Sequence, residues 1–135
     1  MGQPRGGSLR LYPVNALAGL KPSYVAHSPI AATKQIGIGR WDGDGAPDTF
    51  FRRDNRLQVS FGNGPGGLMG SRTVGPNLTP YSTLVGIPDE RLSGRGDVIA
   101  RARGTGDVYL LEATSNGFLP RRYLGDGLAG FDLVG

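Results

Sequence analysis

The sequence has no cysteine, a single histidine and no long apolar run. Without cysteine there is neither a disulfide framework nor a thiolate metal site. No apolar stretch approaches the roughly 18 residues that span a membrane, so we expect no membrane insertion. The opening segment Met1–Gly7 lacks the apolar region of a signal peptide, so any export signal is expected outside these 135 residues.

Groups suited to catalysis are also scarce. His27 is the single imidazole, and the sequence contains neither G-x-S-x-G nor H-E-x-x-H. A nucleophile and base pair would have to combine serine or threonine with that one histidine. His27 stands at the end of an apparent strand, where a hydrogen-bonded structural histidine is expected. We therefore predict that the chain is not an enzyme.

Positive charge comes almost entirely from arginine. Of the 15 Lys and Arg residues only Lys21 and Lys34 are lysines, and the formal net charge is +4. Arginine favours bidentate contacts with carboxylates or phosphates, but the arginines are scattered along the chain, which favours a compositional bias of exposed strand positions. No basic stripe with interleaved aromatic residues and no helix-forming segment is present, so nucleic acid is not expected as a partner.

Glycine and proline are abundant and divide the chain into short apolar segments. The 24 glycines and 10 prolines stand between alternating runs such as 9–12, 57–61 and 98–102, a pattern typical of strands joined by tight turns. The pattern predicts strands in groups of two, four, four and one, at residues 8–12, 23–27, 34–39, 48–53, 56–61, 70–74, 82–87, 97–102, 107–112, 120–124 and 131–134.

The strands belong to an internal repeat of 47 to 49 residues. Residues 50–62 align with 99–111, and a partial copy lies at 7–13. This period is typical of four-stranded β-propeller blades. We predict an all-β fold of about three incomplete blades in one continuous propeller-type domain. Its parts are a partial blade with the first strand of the next over 1–39, a central repeat over 40–86, and a second repeat over 87–135 ending in an unpaired first strand.

Three blades are fewer than the roughly 4 to 8 that close a propeller. The expected partners are therefore neighbouring blades of a larger parent chain or further copies of this one. In a homo-oligomer, residues 130–135 of one copy would pair with residues 8–12 of the next, and head-to-tail contacts would close the ring.

The central repeat carries an acidic loop between its first two strands. The loop reads Gly39-Arg-Trp-Asp-Gly-Asp-Gly-Ala-Pro-Asp48, and the glycine-rich segment Arg56–Leu68 follows. Both segments resemble the FG-GAP or VCBS repeats, integrin-alpha-like propeller repeats of secreted actinobacterial proteins. In that family an Asp-x-Asn-x-Asp-Gly-x-x-Asp loop binds calcium. The resemblance implies an extracellular or cell-surface setting.

The resemblance also implies which residues would hold the ion. Asp42, Asp44 and Asp48 fall on the third, fifth and ninth motif positions, and the carbonyl of Ala46 falls on the seventh. Arg40 replaces the first carboxylate, and affinity in such loops follows ligand charge. We expect either a weak calcium site or a metal-free loop in which the guanidinium pairs with the carboxylates, and we favour the metal-free loop. No other cofactor is expected.

The second copy departs further from the motif. Arg91–Asp97 is interpreted as a loop two residues shorter, with arginine at the first and fifth positions and Ser93 at the third. Only Asp97 would remain, so this loop is predicted to be metal-free. Arg95-Gly96-Asp97 spells an integrin-recognition tripeptide, but Asp97 has a structural role available at a strand start. Gly62–Gly67 contains G-x-G-x-x-G, and a hairpin turn is predicted there because no helix follows.

These observations favour a non-catalytic binding or adhesion module. By the family resemblance, its ligand would be an extracellular glycan, a cell-wall polymer or a protein. Trp41 and the tyrosines could stack on sugars, although strand aromatics mostly fill the space between blades. Two alternatives stay open, a targeting appendage of a secreted hydrolase and a structural subunit that assembles into a closed propeller. The sequence identifies no ligand-binding residues.

Overall fold

The protein is built from β-strands and turns. The computed structural model describes residues 1–15 and 19–130, and these contain no helix, hence none able to cross a membrane. The strands are β1 (Leu9–Leu11), β2 (Val14–Asn15), β3 (Gly19–Leu20), β4 (Tyr24–His27), β5 (Lys34–Gly39), β6 (Asp48–Arg53), β7 (Arg56–Gly62), β8 (Leu68–Val74), β9 (Tyr81–Ile87), β10 (Asp97–Ala102), β11 (Val108–Leu111), β12 (Ala113–Thr114), β13 (Gly117–Phe118) and β14 (Arg122–Gly125).

Ten of the predicted strands are confirmed, and their ends differ from the observed ones by at most two residues. The predicted strand at 131–134 lies outside the described residues. The sequence interpretation missed two hairpins, β2 with β3 and β12 with β13. Each of these strands has only two residues, too few for an alternating pattern to be recognised.

Two four-stranded antiparallel sheets form most of the structure. Their strand orders are β5-β6-β7-β8 and β9-β10-β11-β14, while β1 pairs with β4 in a two-stranded sheet. The predicted all-β fold is therefore confirmed. In the chain, the hairpin β12–β13 comes between β11 and β14. The fourth strand of the second large sheet is therefore β14.

Two adjacent phenylalanines in β6 show that the first four-stranded sheet is covered on both faces. Successive side chains of a strand point to opposite faces, so Phe50 and Phe51 have different neighbours. Phe50 lies in the main core with Leu84 and Val98 of the second sheet, whereas Phe51 packs with Leu9 of β1. Both rings are at most 3% exposed. The three sheets are therefore stacked face to face in chain order.

The strand registers correct the ungapped alignment of the two repeats. Thr49 pairs with Ser60 in the first sheet, and Val98 pairs with Leu111 in the second. The repeat offset is thus 49 residues from Thr49 to Val98 but 51 residues from Ser60 to Leu111. The turn after β10 is two residues longer than the turn after β6. The alignment of 50–62 with 99–111 is right in β6 and wrong by two residues in β7.

Glycine allows the second large sheet and the loop before β10 to lie close against β5. A β-carbon at Gly86 would lie 2.2 Å from the carbonyl oxygen of Gly37, and one at Gly96 would lie 2.0 Å from that of Ile38. Only glycine fits at either position. Beside these contacts β5 and β9 enclose a cavity of about 190 Å³.

Candidate functional site

A buried aspartate at the start of β6 organises the loop before it. The carboxylate of Asp48 accepts hydrogen bonds from the backbone amides of Trp41 at 2.5 Å, Asp42 at 3.2 Å and Gly62 at 2.8 Å. Its side chain is almost fully buried. Several amide donors satisfy a carboxylate well enough for it to be buried. Asp48 therefore ties the acidic loop to the end of β7.

Asp97 repeats this arrangement at the start of β10. Its carboxylate accepts hydrogen bonds from the amides of Glu90 at 3.1 Å and Ala113 at 2.7 Å, and it too is buried. Trp41 and Glu90 each precede their aspartate by seven residues. The two loops consequently have the same length, and the predicted two-residue shortening of the second loop is wrong.

Equal loop lengths reassign the motif positions of the second loop. Counted back from Asp97, the first position is Asp89, the third is Arg91 and the fifth is Ser93. The carboxylate of Asp89 accepts hydrogen bonds from the amide of Arg91 and the hydroxyl of Ser93, both at 3.2 Å, and from the amide of Gly94. Desolvation raises the pKa of Asp89, but these hydrogen bonds outweigh it, so the pKa is lowered.

The acidic side chains of the first loop bind the loop's own backbone. Asp42 accepts from the amide of Asp44 at 3.0 Å, and Asp44 accepts from the amide of Ala46 at 2.7 Å. In the described part of the chain, Arg40 forms no ion pair with these carboxylates, and no three histidine or acidic side chains are placed to hold a metal ion. The weak calcium site made by Asp42, Asp44, Ala46 and Asp48 stays a prediction from the sequence.

Three further sequence interpretations are confirmed. In the tripeptide at 95–97, Gly96 packs on a carbonyl of β5 and Asp97 is buried, so these residues have a structural role. Gly62–Gly67 forms the turn between β7 and β8, in which the Asn63 amide donates to the Gly67 carbonyl at 3.2 Å. His27 is hydrogen-bonded as expected, because its Nδ1 lies 2.8 Å from the carbonyl oxygen of Ser28.

Sequence reasoning missed a charged concave surface beside the second loop. Glu112 follows β11, and its side chain is only 9% exposed. Its Oε1 lies 3.5 Å from Nε of Arg91 and 3.7 Å from Nη2 of Arg122, and Arg122 also bonds Glu90 at 2.5 Å. These four side chains line a cavity of about 390 Å³. A buried carboxylate thus lies between two partly exposed guanidinium groups.

Two neighbouring cavities extend this surface. One of about 340 Å³ shares Glu112 and adds Ser93 and Arg95, and another of about 410 Å³ adds Phe118. The Nε of Arg95 is buried without a hydrogen-bond partner, and such a donor is normally satisfied by protein, water or ligand. We call this surface the Glu112 groove, lined by Glu90, Arg91, Ser93, Arg95, Glu112, Thr114, Phe118, Leu119 and Arg122.

The corrected alignment provides the signal that would have revealed the groove. With the two-residue insertion, Glu112 occupies the position of Phe61, and Glu90 occupies that of Trp41. In the first repeat Trp41 is almost fully buried and packs edge-on against Phe50 at 4.9 Å. When one repeat has an acidic residue where the other repeat has an aromatic one, packing does not determine the residue type at that position.

No known protein family, curated protein or solved structure matches this chain. The likeness to FG-GAP and VCBS repeats therefore depends on the acidic loop and the glycine-rich turn alone. Function has to be inferred from the groove and from the arrangement of the repeats.

Proposed function

We propose that the chain is a non-catalytic binding module of the β-propeller type that recognises a glycan, cell-wall polymer or protein outside the cell or at its surface. The observation that carries the proposal is the Glu112 groove. Its described lining combines a carboxylate, guanidinium groups, hydroxyls and an apolar wall. Binding pockets typically present a few fixed polar groups beside apolar surface.

A hydroxyl-rich ligand suits the chemistry of the groove. Glu112 can accept hydrogen bonds from sugar hydroxyls, while Arg91 and Arg95 can donate to ring and hydroxyl oxygens. Phe118 and Leu119 offer an apolar surface for a sugar face. Because the groove also holds ion pairs, a polar protein segment is the second ligand class that it could accept.

The stacking of the sheets supports the propeller assignment. The sheets follow one another face to face in chain order, and the first strands of the two large sheets lie side by side, as the inner strands of blades do. With the 49-residue offset, Val85 and Ile99 are the equivalents of Ile36 and Phe50. Because Ile36 and Phe50 face the second sheet, Val85 and Ile99 lie on the face of the second sheet that is directed away from the first. We propose that a further blade covers that face, from another copy or from a longer parent chain. Light scattering that reports a well-folded monomer at micromolar concentration would contradict self-assembly.

Binding to a glycan array followed by calorimetry tests the groove. Glu112→Gln keeps the side-chain shape but removes the charge, and we expect it to weaken the bound glycan about tenfold or more, since charged hydrogen bonds contribute about 1.5 to 3 kcal/mol. Arg53→Gln is a suitable control, because Arg53 is exposed and, among residues 1–15 and 19–130, its guanidinium bonds only the side chain of Gln58. Equal affinity of the Glu112→Gln variant would contradict the groove as the site. Turnover of a glycan that stops in this variant would contradict a non-catalytic role.

A further inference from the structure

A second charged surface lies at the opposite end of β9 and β10 from the Glu112 groove. In the register of these strands Asp97 pairs with Ile87 beside the groove, whereas Ala102 pairs with Tyr81 at the far end. Strands rise about 3.3 Å per residue, so the two ends are separated by roughly 15 to 20 Å. The two surfaces share no residue and can be tested independently.

Three arginines contact Tyr81, two of them at its backbone carbonyl and one at its side-chain hydroxyl. The Nη1 of Arg52 and the Nη2 of Arg103 both point to the Tyr81 carbonyl oxygen, at 3.3 and 3.5 Å, and the Nη1 of Arg121 lies 3.3 Å from its hydroxyl. These residues come from β6, from the turn after β10 and from the segment before β14. Two guanidinium groups therefore approach one neutral oxygen.

Within the described residues no carboxylate forms an ion pair with these three arginines, although Asp107 lies close enough to Arg121 to attract its charge. The ion pairs of the described residues are formed by Arg91 and Arg122, which belong to the Glu112 groove. Arg52, Arg103 and Arg121 bond only to carbonyl and hydroxyl oxygens. Like charges that meet at one neutral atom repel one another, and an anion between them would relieve that repulsion.

The guanidinium groups are held in place before any ligand arrives. Arg52 also donates to the carbonyl of Leu78 at 3.2 Å. Arg121 stacks over the ring of Tyr109 at 4.3 Å, and Tyr109 contacts Tyr81 edge-on at 6.2 Å. Each guanidinium has five N–H donors, so donors remain for a ligand. Prior ordering lowers the entropy that binding loses.

We propose that Arg52, Arg103 and Arg121 form an anion-binding site, the Tyr81 arginine site, for a phosphate or sulfate ester group carried on a polysaccharide. Arginine forks match tetrahedral oxyanions with pairs of parallel hydrogen bonds. Two arginines at one carbonyl oxygen, with a third at the hydroxyl of the same tyrosine, favour a group with more than one negative oxygen over an isolated carboxylate. The site is separate from the groove proposed to bind a hydroxyl-rich ligand.

Calorimetry at low ionic strength tests the site with dextran sulfate, a phosphorylated dextran and neutral dextran as probes. The wild-type chain is expected to bind at least one charged polymer more tightly than neutral dextran, and salt is expected to weaken the binding of the charged polymer. If only dextran sulfate or only phosphorylated dextran binds, the result identifies which ester the site recognises. If both bind, the site recognises the oxyanion itself. Absence of binding to either charged polymer would overturn the proposal.

Arg103→Gln and Arg121→Gln provide the residue-level test. Each is expected to weaken binding about tenfold, whereas the control Arg53→Gln is expected to stay within about twofold. Thermal melting checks that each variant is folded, and Arg121→Lys, which keeps the charge but loses the fork, should bind with intermediate affinity. An equal loss in Arg53→Gln would overturn the site, because binding would then reflect net charge. Glu112→Gln is expected to leave this binding unchanged, which separates failure here from failure of the groove.

Discussion

The two large repeats share a scaffold and differ in what the scaffold carries. Asp48 and Asp97 each accept a hydrogen bond from the amide seven residues before them in the loop. Each also accepts one from the region where the third strand ends, from Gly62 at the end of β7 and from Ala113 just after β11. We call Asp48 and Asp97 the anchors of the two repeats. At the loop position whose amide donates to the anchor, the first repeat has the buried ring of Trp41, whereas the second has Glu90. The first repeat is closed by packing, and the second is open and charged.

This difference shows which parts of a repeat can vary. The hydrogen bonds of the anchors run to backbone amides, so they do not depend on which side chains the loop carries. Side chains at the loop positions can therefore change from aromatic to charged without loss of the anchor. In the second repeat that freedom allows the Glu112 groove.

Removing the two anchors should have the largest effect. Asp48→Ala leaves three backbone amides without their acceptor, and Asp97→Ala leaves two. Buried unsatisfied donors cost about 1 to 3 kcal/mol each when they cannot reach water. We expect losses in the free energy of unfolding of about 3 kcal/mol for Asp48→Ala and about 2 kcal/mol for Asp97→Ala, measured by urea denaturation.

The matched variants Asp48→Asn and Asp97→Asn keep one acceptor oxygen and should lose less. If only one of the two alanine variants were destabilised, the structural equivalence of Asp48 and Asp97 would be contradicted. In that case the shared geometry would not reflect a shared structural role.

The loops should also respond differently to calcium. The first loop lacks a carboxylate at its first motif position, Arg40, and the second lacks carboxylates at its third and fifth positions, Arg91 and Ser93. Arg40→Asp should therefore strengthen calcium binding about tenfold or more relative to the wild-type chain, because affinity follows ligand charge. Arg91→Asp, which still leaves Ser93 in place, should gain less.

Calorimetry with calcium chloride measures both variants. Submicromolar binding by the wild-type chain, or a melting temperature that collapses on chelation, would contradict the expectation of at most one weak site.

The smallest effect concerns Asp89 and pH. Its pKa is lowered in the folded chain, so folding favours the ionised carboxylate. This contribution is present above the unfolded value of about 3.9 and is lost as pH falls through the lower folded pKa. Asp89→Asn removes the titrating carboxylate and should therefore reduce the loss of stability in that acid range. Thermal melts between about pH 2 and 5 measure the difference, and an NMR titration that gives Asp89 an ordinary pKa would contradict it.

The strands were predictable because their signals are local. Alternation and turn residues located β5, β6 and β10 to the residue. The two-residue hairpins were not predictable, because they are defined by pairing and not by composition. The added length in the turn near Gly104 was hidden in the same way, since only the pairing of β10 with β11 reveals it.

The sites were harder to predict than the strands. Asp48 looks like a metal ligand in sequence, and only the amide of Gly62, fourteen residues away, reveals its structural role. Arg52, Arg103 and Arg121 look scattered, yet the sheet registers bring them to one tyrosine. Sequence spacing predicts which residue types are available, but long-range pairing decides which of them meet.

Trp41 gives the molecule an intrinsic optical reporter. It is the single tryptophan of the chain, 1% exposed, and its ring centroid lies 4.9 Å from that of Phe50 and 5.6 Å from that of Phe118. One neighbour belongs to the first repeat and the other to the hairpin of the second. Its fluorescence emission should therefore be blue-shifted while the two repeats are docked and should move to longer wavelength when they separate, even if each sheet keeps its strands.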